Sequence, residues 1–154
     1  YIGGGFSAVD GVARNRIAHI LSDGTLDSSW NPNSNASIRS ISVHGSYVYV
    51  GGFFTSIGGQ ALNSIARLNT TDGSADATWN PNANDVVFSF AFSGSDIYVG
   101  GQFSTIGGQS RRVAKLNDTD GSVDTTWNPA ASGTVQPIDR RVSNVMRGPF
   151  SRVG

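Results

Sequence analysis

Tyr49-Val50-Gly51-Gly52-Phe53-Phe54 is the stretch from which the architecture of this chain is read, because it occurs three times. It stands earlier as Tyr1-Ile2-Gly3-Gly4-Gly5-Phe6 and later as Tyr98-Val99-Gly100-Gly101-Gln102-Phe103, so the copies start 48 and then 49 residues apart. Each copy continues in the same order. A Gly-centred turn follows at Asp10-Gly11, Gly58-Gly59 and Gly107-Gly108, then an apolar run at Ile17-Ala18-His19-Ile20, Ile65-Ala66-Arg67-Leu68 and Val113-Ala114-Lys115-Leu116. An Asp-Gly turn comes next, at Asp23-Gly24, Asp72-Gly73 and Asp120-Gly121, and six residues after its glycine a Trp-Asn-Pro at Trp30, Trp79 and Trp127. Single-residue insertions fall in the turns while the apolar runs keep their length. A period of this size marks a repeat architecture in which each unit buries its apolar face only against a neighbour.

Within a unit the signals are those of short strands. Ser40 to Val43 and Phe88 to Phe92 alternate with the two-residue period of a half-buried strand, which puts Phe88, Phe90 and Phe92 on one face. Short turns at His44-Gly45-Ser46 and Ser93-Gly94-Ser95-Asp96 lead into Tyr47-Val48-Tyr49-Val50 and Ile97-Tyr98-Val99. The paired glycines after that strand predict a bulge or a close approach of another backbone. A third strand runs to the Asp-Gly turn, a hairpin signal. A fourth runs up to the tryptophan and is ended by the proline after it, which has no N–H to give a ladder. Four strands in about 49 residues is the size of one propeller blade.

Composition agrees. Of 154 residues, 20 are Gly, 21 Ser, 12 Asn and 10 Thr; eleven Asp face no Glu, and ten Arg a single Lys, Lys115. These are turn and strand-edge residues, with the common helix-surface residues nearly missing, which excludes a helical bundle. Net charge is zero, so no global field points to nucleic acid or an anionic membrane. The longest nearly apolar run, Val86 to Phe92, falls far short of the roughly 20 residues of a spanning helix, so no membrane insertion is expected. With no cysteine, disulfides and thiolate chemistry are excluded. The chain starts at Tyr1 without a methionine or a charged-then-apolar leader, which reads as a removed signal or as an excised segment of something longer.

The pattern Tyr-Val-Gly-Gly-x-Phe-x-x-(Ile/Val)-Gly-Gly-Gln, then Ile-Ala-Arg-Leu-Asn, then Asp-Gly-Ser-x-Asp and (Trp/Phe)-Asn-Pro resembles the delta-60 repeat family, a DUF5122-type β-propeller family of bacterial secreted and surface proteins. The resemblance covers residues 1 to about 136. It implies a propeller and an extracellular or cell-surface setting, and it implies no activity. The departure is at the end: by phase, residues 138 to 146 are expected to repeat the alternating strand and hairpin, but they read Ile138-Asp139-Arg140-Arg141-Val142-Ser143-Asn144-Val145-Met146.

The fold expected is therefore all-β, a single repeat domain of about three four-stranded propeller blades. Its repeats span residues 1–48, 49–97 and 98–136, and a divergent segment occupies 137–154. Closed propellers have about four to eight blades, so three leave open faces at both ends. Three outcomes satisfy those faces: further blades of a longer chain, a second copy that brings the total to six, or head-to-tail stacking into a fibre. The first strand of blade one would lie before Tyr1, so it must come from the divergent tail or from another chain.

Four sets of residues are candidates for function. Trp30, Trp79 and Trp127 offer flat rings on which glycans stack; the alternative is that each fills the slot between neighbouring blades. Asp118, Asp120 and Asp124 space oxygen ligands round a glycine turn as a calcium loop does, but without the closing Glu, and a hairpin turn with Asp bonded to nearby amides explains them as well. Asn35, Asn69 and Asn117 begin N-glycosylation acceptor triplets. Residues 1–136 hold seven basic and ten acidic groups, net −3, and residues 137–154 four and one, net +3, a charge division that would guide chain-to-chain docking. Catalytic residues are not expected. His19 and His44 are the only histidines and neither has a visible nucleophile or carboxylate partner; His19 shares its slot with Arg67 and Lys115, which reads as an exposed strand face. No phosphate-loop, zinc-protease or nucleophile-elbow motif occurs, and no basic face with interleaved aromatics calls for nucleic acid. The reading is a non-enzymatic extracellular structural or adhesive module without cofactor that associates with other chains, with glycan binding and calcium-stabilised repeats as alternatives.

Overall fold

The computed structural model describes residues 1–138, which fold as an all-β structure without helices. The first unit holds β1 (Ile2–Gly3), β2 (Ala8–Val9), β3 (Val12–Ala13) and β4 (Ile17–Ala18). β1 pairs with β4, while β2 and β3 form a small side hairpin around Asp10-Gly11. The second unit is the antiparallel sheet of β5 (Ile38–His44), β6 (Tyr47–Gly52) and β7 (Ile65–Asn69), in that order. The third repeats it with β8 (Val87–Ser93), β9 (Asp96–Gly101) and β12 (Val113–Asn117); its side hairpin is β10 (Thr105–Ile106) with β11 (Gln109–Ser110). The hairpin turns β5–β6 and β8–β9 place Gly45 and Gly94 at φ 58° and 61°, a conformation that glycine adopts without the steric cost of a Cβ.

The fourth strand of each unit is shorter than the sequence suggests. It is reduced to a single bridge, Ile20 to Leu26, Leu68 to Ala75 and Leu116 to Val123. One residue later Asp27, Asp76 and Asp124 bond the amides of Ser29, Thr78 and Thr126, which bends the chain out of the ladder.

Paired glycines do meet a bulge. The β5–β6 register shifts between Ile38 and Ser40, and the β8–β9 register between Val87 and Ser89. A one-residue shift moves later side chains to the other face. Val87, Phe90 and Phe92 consequently share the apolar cluster, whereas Phe88, expected beside Phe90, is the bulge residue outside it.

Both apolar cores lie between units. One joins Ile17 and Trp30 to Ile38, Val48, Val50, Phe54, Ile57 and Leu68; the other joins Tyr49, Ile65 and Trp79 to Val87, Ile97, Val99, Phe103, Ile106 and Leu116. Within one strand the parity splits: Val48 and Val50 face the preceding blade, Tyr47 and Tyr49 the following one. Among the described residues no blade has a core of its own, so each is held by its neighbours.

The repeat also runs on past its expected limit. Ile38 N–H donates to Gly4 O at 3.1 Å, and Val135 N–H donates to Gly101 O at 3.1 Å. A Cβ on Gly3 would lie 2.7 Å from Ile38 Cγ2, and one on Gly100 2.7 Å from Val135 Cγ1. Ile138 N–H donates to Ser89 Oγ at 3.2 Å. Val135 therefore stands where Ile38 and Val87 open their blades, and the fourth position starts three residues before Ile138. The remainder of the divergent segment, with the Arg-rich tail from Arg140, lies outside the described residues.

Candidate functional site

Four side chains recur in each blade, a tyrosine, a base, an aspartate and a tryptophan, and in blades 1 and 2 they stand at the seam with the next blade. Tyr49 comes from β6, Arg67 from β7, Asp76 from the turn after its bridge and Trp79 from the end of that turn. The blade 1 set is Tyr1, His19, Asp27 and Trp30, and the blade 3 set Tyr98, Lys115, Asp124 and Trp127. In every set the base pairs with the aspartate: His19 Nδ1 to Asp27 Oδ2 at 2.9 Å, Arg67 Nη2 to Asp76 Oδ2 at 2.5 Å, and Lys115 Nζ to Asp124 Oδ2 at 2.9 Å.

The same groups then reach into the following blade. Trp30 Nε1–H donates to Asn69 O at 2.9 Å and Trp79 Nε1–H to Asn117 O at 3.2 Å. Tyr1 OH donates to Thr70 O at 3.3 Å, and Tyr49 OH donates to Asp118 Oδ1. Arg67 Nη1 donates to Asp118 O and lies 3.6 Å from Asp118 Oδ1, with its guanidinium 4.1 Å from the centre of the Tyr47 ring. The position shared by His19, Arg67 and Lys115 is thus in the seam, not on an exposed strand face: Arg67 is buried. The sequence shows which way strand parity points but not that another blade stacks on that side.

Electrostatics follow from these partners. Hydrogen bonds from Thr78, then the Arg67 guanidinium, hold the Asp76 carboxyl down to about 2; Ser29, then His19, hold Asp27 at about 2. Thr126 and Lys115 push Asp124 lower still, and the bond to Asp124 raises the Lys115 ammonium. Burial, with Asp118 beside it, pushes the Tyr49 hydroxyl up. Each of these shifts favours the state already paired: Asp27, Asp76 and Asp124 as carboxylates, Lys115 as the ammonium and Tyr49 as the hydroxyl.

The structure separates the residues singled out from sequence. Trp30 and Trp79 are fully buried and present no face to a sugar, whereas Trp127 is partly exposed, stacked edge-on at 5.2 Å against Tyr98. Asp118, Asp120 and Asp124 do not converge: Asp118 belongs to the Tyr49–Arg67 seam, Asp120 Oδ1 accepts from Ser122 N–H at 2.9 Å, and Asp124 pairs with Lys115. Among the described residues no three His or Asp side chains gather as a metal site. Asn35 and Asn117 are exposed and Asn69 is half-buried. The carbonyls of Asn69 and Asn117 receive the seam tryptophans, while Asn35 Nδ2–H donates to Thr55 Oγ1 at 2.8 Å.

Two arginines, Arg14 and Arg111, are buried structural clamps. Arg14 Nη2 donates to Asp27 O and Ser28 O, each at 3.2 Å, and Arg111 Nη1 donates to Asp124 O at 3.0 Å and Trp127 O at 2.9 Å. Blade 2 has Leu62 at this position, buried in the core.

Seams also open into polar surface grooves. One, of about 480 Å³, is lined by Phe53, Thr55, Asn63, Asn82, Asn84 and Asp85, with Phe53 48% exposed. Arg39 lies 5.2 Å from the centre of that ring, and Asn63 Nδ2–H donates to Asn82 Oδ1 at 2.9 Å.

A family model described as a domain of unknown function (DUF5122) beta-propeller matches residues 1–29, 48–78 and 96–126, one segment in each repeat. No curated protein and no solved structure matches the chain.

Proposed function

We propose a structural role for this chain, which belongs to the DUF5122 β-propeller family: a non-enzymatic extracellular or cell-surface module, structural or adhesive, that associates with other chains through the faces of its end blades. One observation carries the reading. Val50 and Val99, Phe54 and Phe103, and Ile57 and Ile106 are all buried against a preceding blade. Among the described residues no blade covers their blade 1 counterparts Ile2, Phe6 and Val9, and Ile2 is 39% exposed. Burying such a side chain stabilises by about 1.5–3 kcal/mol, so an end face made of them favours a partner. Light scattering over a hundredfold concentration range tests this: mass is expected to rise with concentration, and a monomer throughout refutes it.

Neither cofactor nor nucleic acid has a part in this role. The Asp-Gly turns are held by their own Asp side chains, so millimolar calcium is expected to leave the melting temperature unchanged, and a rise of several degrees would restore the calcium-stabilised alternative.

Glycan binding stays as a second reading, favoured by one feature: the exposed Phe53 ring in a groove of amides and a carboxylate. A glycan array with hits abolished by Phe53→Ala would establish it, and an empty array would remove it.

A further inference from the structure

Blade 3 ends in a surface that matches what the first two blades offer their successors. Trp30 and Pro32, like Trp79 and Pro81, are buried at a seam; their counterparts Trp127 and Pro129 are partly and fully exposed. Val135 and Ile138 already lie along blade 3 where Ile38 and Ile41 lie along blade 1.

Blade 1 begins with the complement. A Cβ on Gly73 would meet Pro32 Cγ at 2.9 Å, and one on Gly121 would meet Pro81 at 3.2 Å, yet one on the equivalent Gly24 would meet nothing within 4 Å. The carbonyls of Asn69 and Asn117 accept both a tryptophan indole and their own turn amide, from Gly73 at 3.0 Å and Gly121 at 2.9 Å. Leu21, the equivalent residue, accepts the turn amide of Gly24 at 2.9 Å across a turn one residue shorter. Gly58 and Gly107 donate backbone N–H to Pro32 O and Pro81 O at 2.7 and 2.6 Å; Asp10 holds that position in blade 1 with the same left-handed backbone, φ 48°. Among the described residues β1 is paired by β4 alone, whereas β6 and β9 each carry a further strand, β5 and β8.

We infer that the trailing face of blade 3 docks on the leading face of blade 1 of a second copy of this chain. Trp127 donates its indole N–H to the second copy's Leu21 carbonyl and Pro129 packs on its Gly24. This rests on the association reading above and names the partner. Its warrant is continuity: the contact keeps the tryptophan, the proline and the turn glycine of the two seams already formed within the chain, with Leu21 and Asp10 in the places of Asn and Gly.

Site-specific cross-linking tests it in a chain that has no cysteine of its own. Asn35 and Asn84 bond Thr55 Oγ1 and Ser104 Oγ across the two existing seams at 2.8 and 3.0 Å; the equivalents at the new contact are Ser132 and Ser7, both exposed. Separate Ser7→Cys and Ser132→Cys variants, each checked for native circular dichroism, are mixed under mild oxidation. The mixture is expected to give a reducible species of twice the chain mass that neither variant gives alone, and adding Trp127→Ala to the second is expected to cut its yield at least tenfold. If the unmodified chain associates by light scattering but the mixture cross-links no more than the single variants, the copy-to-copy contact is wrong while the association reading stands. If the chain stays monomeric at millimolar concentration, both fall.

Discussion

Trp79 and Trp127 occupy the same place in successive repeats, and only Trp79 has a described blade after it. Replacing each by alanine therefore isolates what a seam contributes. Trp79 is fully buried, and a tryptophan buries roughly 150–250 Å², equivalent to about 4–6 kcal/mol at 25 cal/mol per Å². Truncation also removes the indole donor from Asn117 O, but that carbonyl keeps the Gly121 amide at 2.9 Å, so the added cost is at the low end, about 1 kcal/mol. Since the cavity partly collapses, Trp79→Ala is expected to cost about 4–5 kcal/mol. Trp127 is partly exposed, and its main described ring neighbour is Tyr98, so Trp127→Ala is expected to cost about 1 kcal/mol in the unassociated chain. Urea titrations followed by far-ultraviolet circular dichroism, at a protein concentration where the chain is monomeric, give both values. Equal losses would mean that these tryptophans stabilise their own turns and that the seam is not the unit of stability.

Three further outcomes follow from the same geometry. Asp76 has its folded pKa depressed to about 2, so its contribution to stability is present above the unfolded value near 4 and is lost as pH falls through 2; acid titration is expected to show that loss between about pH 4 and 2, with a shallower slope in Asp76→Asn. An unchanged slope would remove Asp76 from the acid response. Arg67→Leu, which strands Asp76 and Asp118 at a buried seam, is expected to cost about 3 kcal/mol in chemical denaturation, and Arg67→Lys less than half of that, because Lys115 already serves in this slot; equal costs would contradict the ion-pair account. Gly24→Ala and Gly73→Ala both place a side chain at left-handed φ, but only the second meets Pro32, so it is expected to lose at least about 1 kcal/mol more by thermal unfolding, and a reversed order would show that Gly73 is not packed at a seam.

Much of the blade could be read from residue order. Repeated Tyr-Val-Gly-Gly strands, the turns at Asp-Gly and Gly-Gly, and the bulge beside Gly51 and Gly100 are local matters of backbone conformation and period, and the apolar alternation marks which residues pair across a strand. The face assignment of Phe88 failed because a bulge shifts parity by one residue, and neither period nor propensity locates the extra residue. The fourth strands shrank to single bridges because Asp side chains compete for the backbone just after them.

Residue order alone could establish a chain of about 48-residue β units whose apolar positions recur in phase. What those positions touch was settled in three dimensions. Nothing in residue order ties Arg14 and Arg111 to the Asp–Trp turn that they clamp, and the slot of His19, Arg67 and Lys115 read as surface until the next blade stacked on His19 and Arg67. Trp30 and Trp127 have nearly the same local sequence and different exposure. The reason is physical: in a stacked array each blade's core is made half from its own residues and half from those of its neighbour about 48 positions away, and burial depends on that neighbour being there.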